Sequence, residues 1–101
     1  MDSYQLSDDA IFDIDAIWVY LLEKEGMETA DRIVTELFMA FYRLADIPNS
    51  GHRRADLTSK KVLFHGVFSY LVVYEPGSNP LLILGILHGK RNISRLLRQR
   101  L

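Results

Sequence analysis

The sequence predicts an α+β domain: an N-terminal strand, an antiparallel helical hairpin, then a three-stranded antiparallel meander. Three observations carry this. Apolar residues recur at helical spacing in two runs before residue 46; beyond residue 61 the runs are short and rich in β-branched and aromatic residues; turn residues separate them. A length of 101 residues fits one domain, 1–101, and excludes a two-domain enzyme. With 49% hydrophobic and 11% aromatic residues the chain has material for a core, which excludes disorder over most of its length.

Tyr4-Gln5-Leu6 alternates as a short strand does, and Ser7 follows as a helix cap with Asp8 and Asp9 against the positive end of the helix dipole. Ala10, Ile14, Ile17 and Leu21 form the stripe of the first helix, widened by Ile11, Trp18 and Leu22, and Gly26 breaks it. A cleaner stripe follows at Ala30, Ile33, Val34, Leu37, Phe38, Phe41, Leu44 and Ala45, ending before Pro48 and Gly51. Helices joined by so short a connection are antiparallel neighbours. Ile47 to Lys61 is a surface loop by composition. Strands are predicted at Val62–Phe64, Tyr70–Tyr74 and Leu81–Leu87, separated by Gly66 and by Pro76-Gly77-Ser78-Asn79-Pro80. In the basic tail at about 90–101, Ile93, Leu96 and Leu97 either make a short amphipathic helix or the segment frays.

The formal charge of -1 conceals two opposed halves. Residues 1–46 hold eleven acids and three bases, a net of -8; residues 47–101 hold nine bases against Asp56 and Glu75, a net of +7. Such asymmetry points to charged partners. The absence of cysteine excludes a disulfide scaffold, a Cys-based zinc site and a thiol nucleophile. No apolar run reaches the roughly 18–20 residues that span a bilayer, and Met1-Asp2-Ser3-Tyr4 does not open a signal peptide, so a soluble, cytoplasmic protein without membrane contact is expected.

Few constellations suggest chemistry. Asp9 and Asp13 share a helix face but have no histidine at ligand spacing, so Asp8, Asp9, Asp13 and Asp15 read as a solvated face, with no metal site. His65 and His88 lie on or beside separate strands and show no triad or metal spacing; no catalytic residue and no cofactor is expected. The bases His52-Arg53-Arg54, Lys60-Lys61 and Lys90 to Arg100 lie at loops and the tail, fit to meet phosphates or acidic side chains, but aromatics do not interleave with them. Runs such as Ile17-Trp18-Val19-Tyr20-Leu21-Leu22 are apolar nearly all round, more than one hairpin face buries, which suggests a patch for another chain.

Several motifs resemble those of ParE toxins in the ParE/RelE superfamily. They are Tyr4-x-Leu6-Ser7-x-x-Ala10-x-x-Asp13-Ile14-x-x-Ile17-Trp18-x-Tyr20, Ala30-Asp31-Arg32, Leu44-Ala45-x-x-Pro48-x-x-Gly51-x-x-Arg54-x-Asp56-Leu57, Ser69-Tyr70-Leu71-Val72-Val73-Tyr74-x-Pro76 and Leu87-His88-Gly89-x-Arg91-Asn92-Ile93. Their collinearity over nearly the whole chain makes the match specific. The resemblance implies a RelE/ParE-like fold, which agrees with the elements above, and the toxin of a bacterial type II toxin–antitoxin module. It further implies a cognate ParD-like antitoxin that folds an amphipathic segment over the toxin, within a hetero-oligomeric complex that can contain a toxin dimer.

The superfamily has two activities. The RelE branch cuts messenger RNA on the ribosome. Laid on its pattern, the strand-two lysines fall at Val62 and Phe64, the arginine after Gly-Tyr at Leu71, and the C-terminal tyrosine at Leu97; only Arg91 keeps its type. Hydrocarbon at those positions does not move protons or hold phosphate charge. The ParE branch is associated with poisoning DNA gyrase, inhibition by binding that asks for a complementary surface and no catalysis. On this reading Trp18, Tyr20 and Phe41 meet the antitoxin, while Arg53, Arg54, Lys60, Lys61, Arg91, Arg95, Arg98 and Arg100 meet the target. The alternatives are a RelE-type endoribonuclease with His65 or His88 as its base, and a non-toxic interaction module.

Overall fold

The computed structural model describes residues 3–101. Met1 and Asp2, part of the N-terminal reading and of the charge count, lie outside the described residues. The element order is β1 (Tyr4–Leu6), α1 (Asp8–Lys24), α2 (Met27–Asp46), a 3-10 turn (Pro48–Ser50), β2 (Leu63–Val67), β3 (Tyr70–Glu75), β4 (Leu81–His88) and α3 (Ile93–Arg100).

The local signals work as their chemistry requires. The Ser7 hydroxyl accepts from the Ala10 N–H at 3.1 Å and donates to the Leu84 carbonyl at 3.2 Å, so the residue that starts α1 also ties it to β4. Gly26, the junction of α1 and α2, has φ 95°, a conformation that favours glycine. In the turn before β4, the Ser78 hydroxyl donates to the Glu75 carbonyl and accepts from the Leu82 N–H.

β2, β3 and β4 form the expected antiparallel meander, and β1 joins it parallel to β4, giving the order β1-β4-β3-β2. β2 runs three residues beyond the predicted end, with Gly66 inside the strand opposite Leu71. The hairpin turn is therefore Phe68-Ser69.

The hairpin α1–α2 covers one face of the sheet. Ile14, Ile17 and Leu21 of α1 and Leu37, Phe41 and Leu44 of α2 pack with Tyr70, Val72, Tyr74 and Ile83. The other face is covered as well: Ile93 and Leu97 of α3, with Leu57 from the loop, pack on Val62, Phe64, Val73 and Leu87. The structure thus has three layers, one more than the hairpin and sheet that the sequence predicts. It also decides the tail, since α3 is a formed helix capped by Asn92, whose side chain accepts from the Arg95 N–H at 3.2 Å.

β1 stops opposite Ile83, while β4 continues to His88, so the last part of the β4 edge has no strand beside it. Asp13 of α1 fills that gap. It is 6% exposed, and one of its oxygens accepts from the Ile86 N–H at 2.9 Å. Arg100, reaching round from α3, donates to both carboxylate oxygens at 2.7 and 2.8 Å. The solvated face expected for the N-terminal acids is therefore wrong at Asp13, because an unpaired strand N–H and a distant cation make its burial tolerable.

Candidate functional site

One set of aromatic and cationic side chains gathers where the β2–β3 turn, the residues after β4 and the outer side of α1 meet. α1 places Phe12 and Tyr20 outward because the inward stripe is already filled by Ala10, Ile14, Ile17 and Leu21; they are 70% and 57% exposed. Tyr70 begins β3 directly opposite His88 at the end of β4, and their rings meet edge to face at 5.4 Å. The Gly89 N–H donates to the Ser69 carbonyl at 2.8 Å, which ties the turn after β4 to the β2–β3 turn. The Lys90 N–H donates to His88 Nδ1 at 3.1 Å, which fixes that ring.

A groove of about 480 Å³ runs between α1 and the end of β4. Phe12, Ala16, Tyr20, Tyr70, His88 and Arg91 wall it, and the Asp13–Arg100 pair lines it too. Burial, with the neighbouring Tyr20 phenol as a smaller cause, raises the pKa of the Tyr70 hydroxyl, so Tyr70 stays a neutral hydrogen-bonding group there. A second hollow of about 440 Å³ shares Tyr70, His88 and Arg91 and adds Phe68, Arg54 and Lys90.

Phe68 was not singled out by the sequence. It stands first in a two-residue connection between Val67 and Tyr70, at φ 54°, and Ser69 does not share the positive φ. That is the type II′ pattern, in which glycine is usual. A bulky side chain there costs about 1–2 kcal/mol of backbone strain. The ring is 60% exposed, and the Arg32 guanidinium lies 5.9 Å from its centroid. The signal available in the sequence was Val67-Phe68-Ser69-Tyr70, a turn lacking any glycine.

The residues expected to meet partners separate. Tyr20 is exposed and Trp18 is half-buried against the core. Phe41 is fully buried, its ring edge-on to Tyr4 at 5.4 Å and Phe38 at 5.5 Å, so it belongs to the core and offers no docking surface. Of the bases, Arg91 reaches both hollows at the aromatic end, and Arg54 reaches the second. Arg54 is itself held by Asp56 through two hydrogen bonds of 2.9 and 2.8 Å, which raise the arginine pKa and lower that of the aspartate. Arg95 borders a separate hollow with Arg91, and Lys60 borders another with Arg98. Arg53 and Lys61 are exposed. Arg100 is not available as a free cation, because Asp13 holds both of its terminal nitrogens.

His65 and His88 do not come together. They lie on β2 and β4 with β3 between them. Among the described residues, no three or more acidic or histidine side chains are grouped where an ion could be held.

The family is decided by a match over residues 4–93 to the model described as "ParE toxin of type II toxin-antitoxin system, parDE". The chain belongs to the ParE toxin family. A solved structure titled "Chromosomal ParDE TA system from P. aeruginosa" has the same fold, with a TM-score of 0.72 at 21% sequence identity, covering 87% of this chain and 96% of that one. No curated protein matches the chain. As a ParE toxin of a type II system, the chain is one half of a parDE pair, which implies a ParD-like antitoxin. No helix among the described residues is long and apolar enough to cross a membrane.

Proposed function

We propose that this ParE toxin inhibits DNA gyrase by binding, without catalysis, in the bacterial cytoplasm, and that its ParD-like antitoxin neutralises it by covering the outer face of the hairpin. The observation that carries the binding reading is the state of the positions that match the strand-two lysines and the C-terminal tyrosine of the RelE branch. Val62, Phe64 and Leu97 are buried together in the second core, under α3. Side chains locked among hydrocarbons do not reach a scissile phosphate, and no hydrocarbon transfers a proton. What the chain offers instead is an exposed set of aromatics and arginines, the composition that dominates binding energy at protein interfaces.

The antitoxin reading is supported by α1. Phe12, Val19 and Tyr20 expose apolar surface along one helix, and the groove beside them ends at Arg91. An amphipathic segment laid along α1 into that groove buries these side chains and shields Arg91 at the same time. Coupled folding of such a segment gives up ordering entropy and gains a large interface in return.

Purified toxin titrated into a gyrase supercoiling reaction tests the proposal. Loss of supercoiling at stoichiometric toxin, restored by the antitoxin segment, is the expected result. Undiminished supercoiling at large excess, from protein that still arrests growth in cells, rejects gyrase as the target. New messenger RNA ends mapped by primer extension on toxin-treated ribosomes would reject the non-catalytic reading.

A further inference from the structure

We infer that Phe68 is the anchor with which the toxin engages its target, inserting into an apolar pocket of a protein surface whose rim is acidic. The inference rests on the proposed reading that the toxin acts by binding a protein.

Two independent local penalties meet at this residue. Its backbone occupies the left-handed region that glycine adopts freely, and its ring is exposed to water. Neither feature builds the core, since the side chain belongs to neither cluster and meets the Arg32 guanidinium at the surface. Glycine at this position would remove both. A strained, projecting aromatic is explained by what it touches outside the chain.

The surroundings describe that contact. Arg32 lies against the ring, and Lys90 and Arg91 follow β4 immediately beside the turn, which is pinned by the Gly89–Ser69 hydrogen bond. Among the described residues the ion pairs are Arg54–Asp56 and Arg100–Asp13, so Arg32, Lys90 and Arg91 keep their charge for a partner. Three unpaired cations around one exposed ring complement carboxylates around an apolar pocket. A nucleic-acid stacking platform fits less well. Among the described residues no ring packs against Phe68, and the residue projects from a turn, where a base-stacking surface presents rings in series along a groove.

The full-length toxin carrying Phe68→Gly is compared with wild type for melting temperature, growth arrest on induction and gyrase supercoiling. The expected result is an unchanged or higher melting temperature with at least a tenfold loss of toxicity. Phe68→Trp retains toxicity, and the double change Lys90→Glu, Arg91→Glu loses it to a similar extent with the fold intact. Growth arrest by Phe68→Gly equal to wild type overturns the inference, as does a fall in its melting temperature, which would make the residue structural. A gel shift of single-stranded RNA by the wild type, abolished in Phe68→Gly, overturns the protein partner in favour of nucleic acid. Growth arrest reads out the anchor whatever the target is, so failure of wild-type toxin to inhibit gyrase rejects gyrase alone and leaves Phe68 tested.

Discussion

Arg100 and Asp13, 87 residues apart, form a two-pronged ion pair across the unpaired edge of β4. Gly85 makes room for it, since a Cβ there would lie 2.7 Å from an Arg100 terminal nitrogen. The pair fastens the end of α3 to α1 on the opposite side of the sheet and completes the hydrogen bonding of Ile86. Breaking a buried pair from one side leaves a desolvated charge, at a cost of about 3–5 kcal/mol in enclosed sites. Arg100 keeps some exposure, so about 2–3 kcal/mol is expected for Arg100→Ala. Asp13→Ala is expected to cost more, because it also strands the Ile86 N–H. Urea unfolding of both variants and of the double mutant gives the coupling directly.

Tyr74 makes a second long-range tie, between the sheet and the segment after α2. Its hydroxyl donates to the Pro48 carbonyl at 2.7 Å and accepts from the Gly51 N–H at 2.9 Å. Tyr74→Phe keeps the packing and removes both bonds, so a loss of about 1–3 kcal/mol is expected. Gly51→Ala should also destabilise, since its Cβ would fall 2.5 Å from the Tyr74 oxygen with the Phe64 carbonyl at 2.9 Å on another side. Thermal melting, with toxicity retained in the folded fraction, checks both.

Protonation of His65 is opposed first by burial and then by the nearby charges of Arg43 and His52, so its pKa lies below the ordinary 6.5. At a pH near the ordinary value the unfolded chain therefore binds more protons at this residue than the folded chain does. Its contribution to stability is present above pH about 6.5 and is lost as pH falls through the depressed folded value. Melting temperature should decline on acidification through this window, and His65→Gln should flatten the decline. An identical pH profile in the variant would assign the effect to other groups.

Much of the fold was legible because its signals are local. Ser7 and Gly26 act within a few residues of themselves, and the stripe Ala10, Ile14, Ile17 and Leu21 is the buried face of α1. The second core had a signal too: Val72, Val73 and Tyr74 are consecutive and all fully buried, which requires cover on both faces of the strand. Asp13 was not legible, since what makes its burial acceptable is an arginine near the far end of the chain. The aromatic end was not legible either. Tyr20, Phe68, Tyr70 and Arg91 come from different elements, and only the pairing of β3 with β4 and the docking of α1 bring them together.

Phe41 and Tyr20 stand at the same helical period and were read alike, yet they should fail in opposite ways. Phe41 lies between α2 and the sheet with rings on two sides, so Phe41→Ala opens a cavity and is expected to cost about 3–5 kcal/mol, enough to unfold much of a domain this size. Tyr20 projects into water from α1, and Tyr20→Ala should change stability by no more than about 0.5 kcal/mol. If the antitoxin segment occupies the groove, the same change removes one of its aromatic contacts and should weaken association by at least about tenfold, close to 1.4 kcal/mol. Calorimetric titration of the antitoxin segment into folded Tyr20→Ala toxin measures this. Wild-type affinity in that variant would move the antitoxin away from this face of α1.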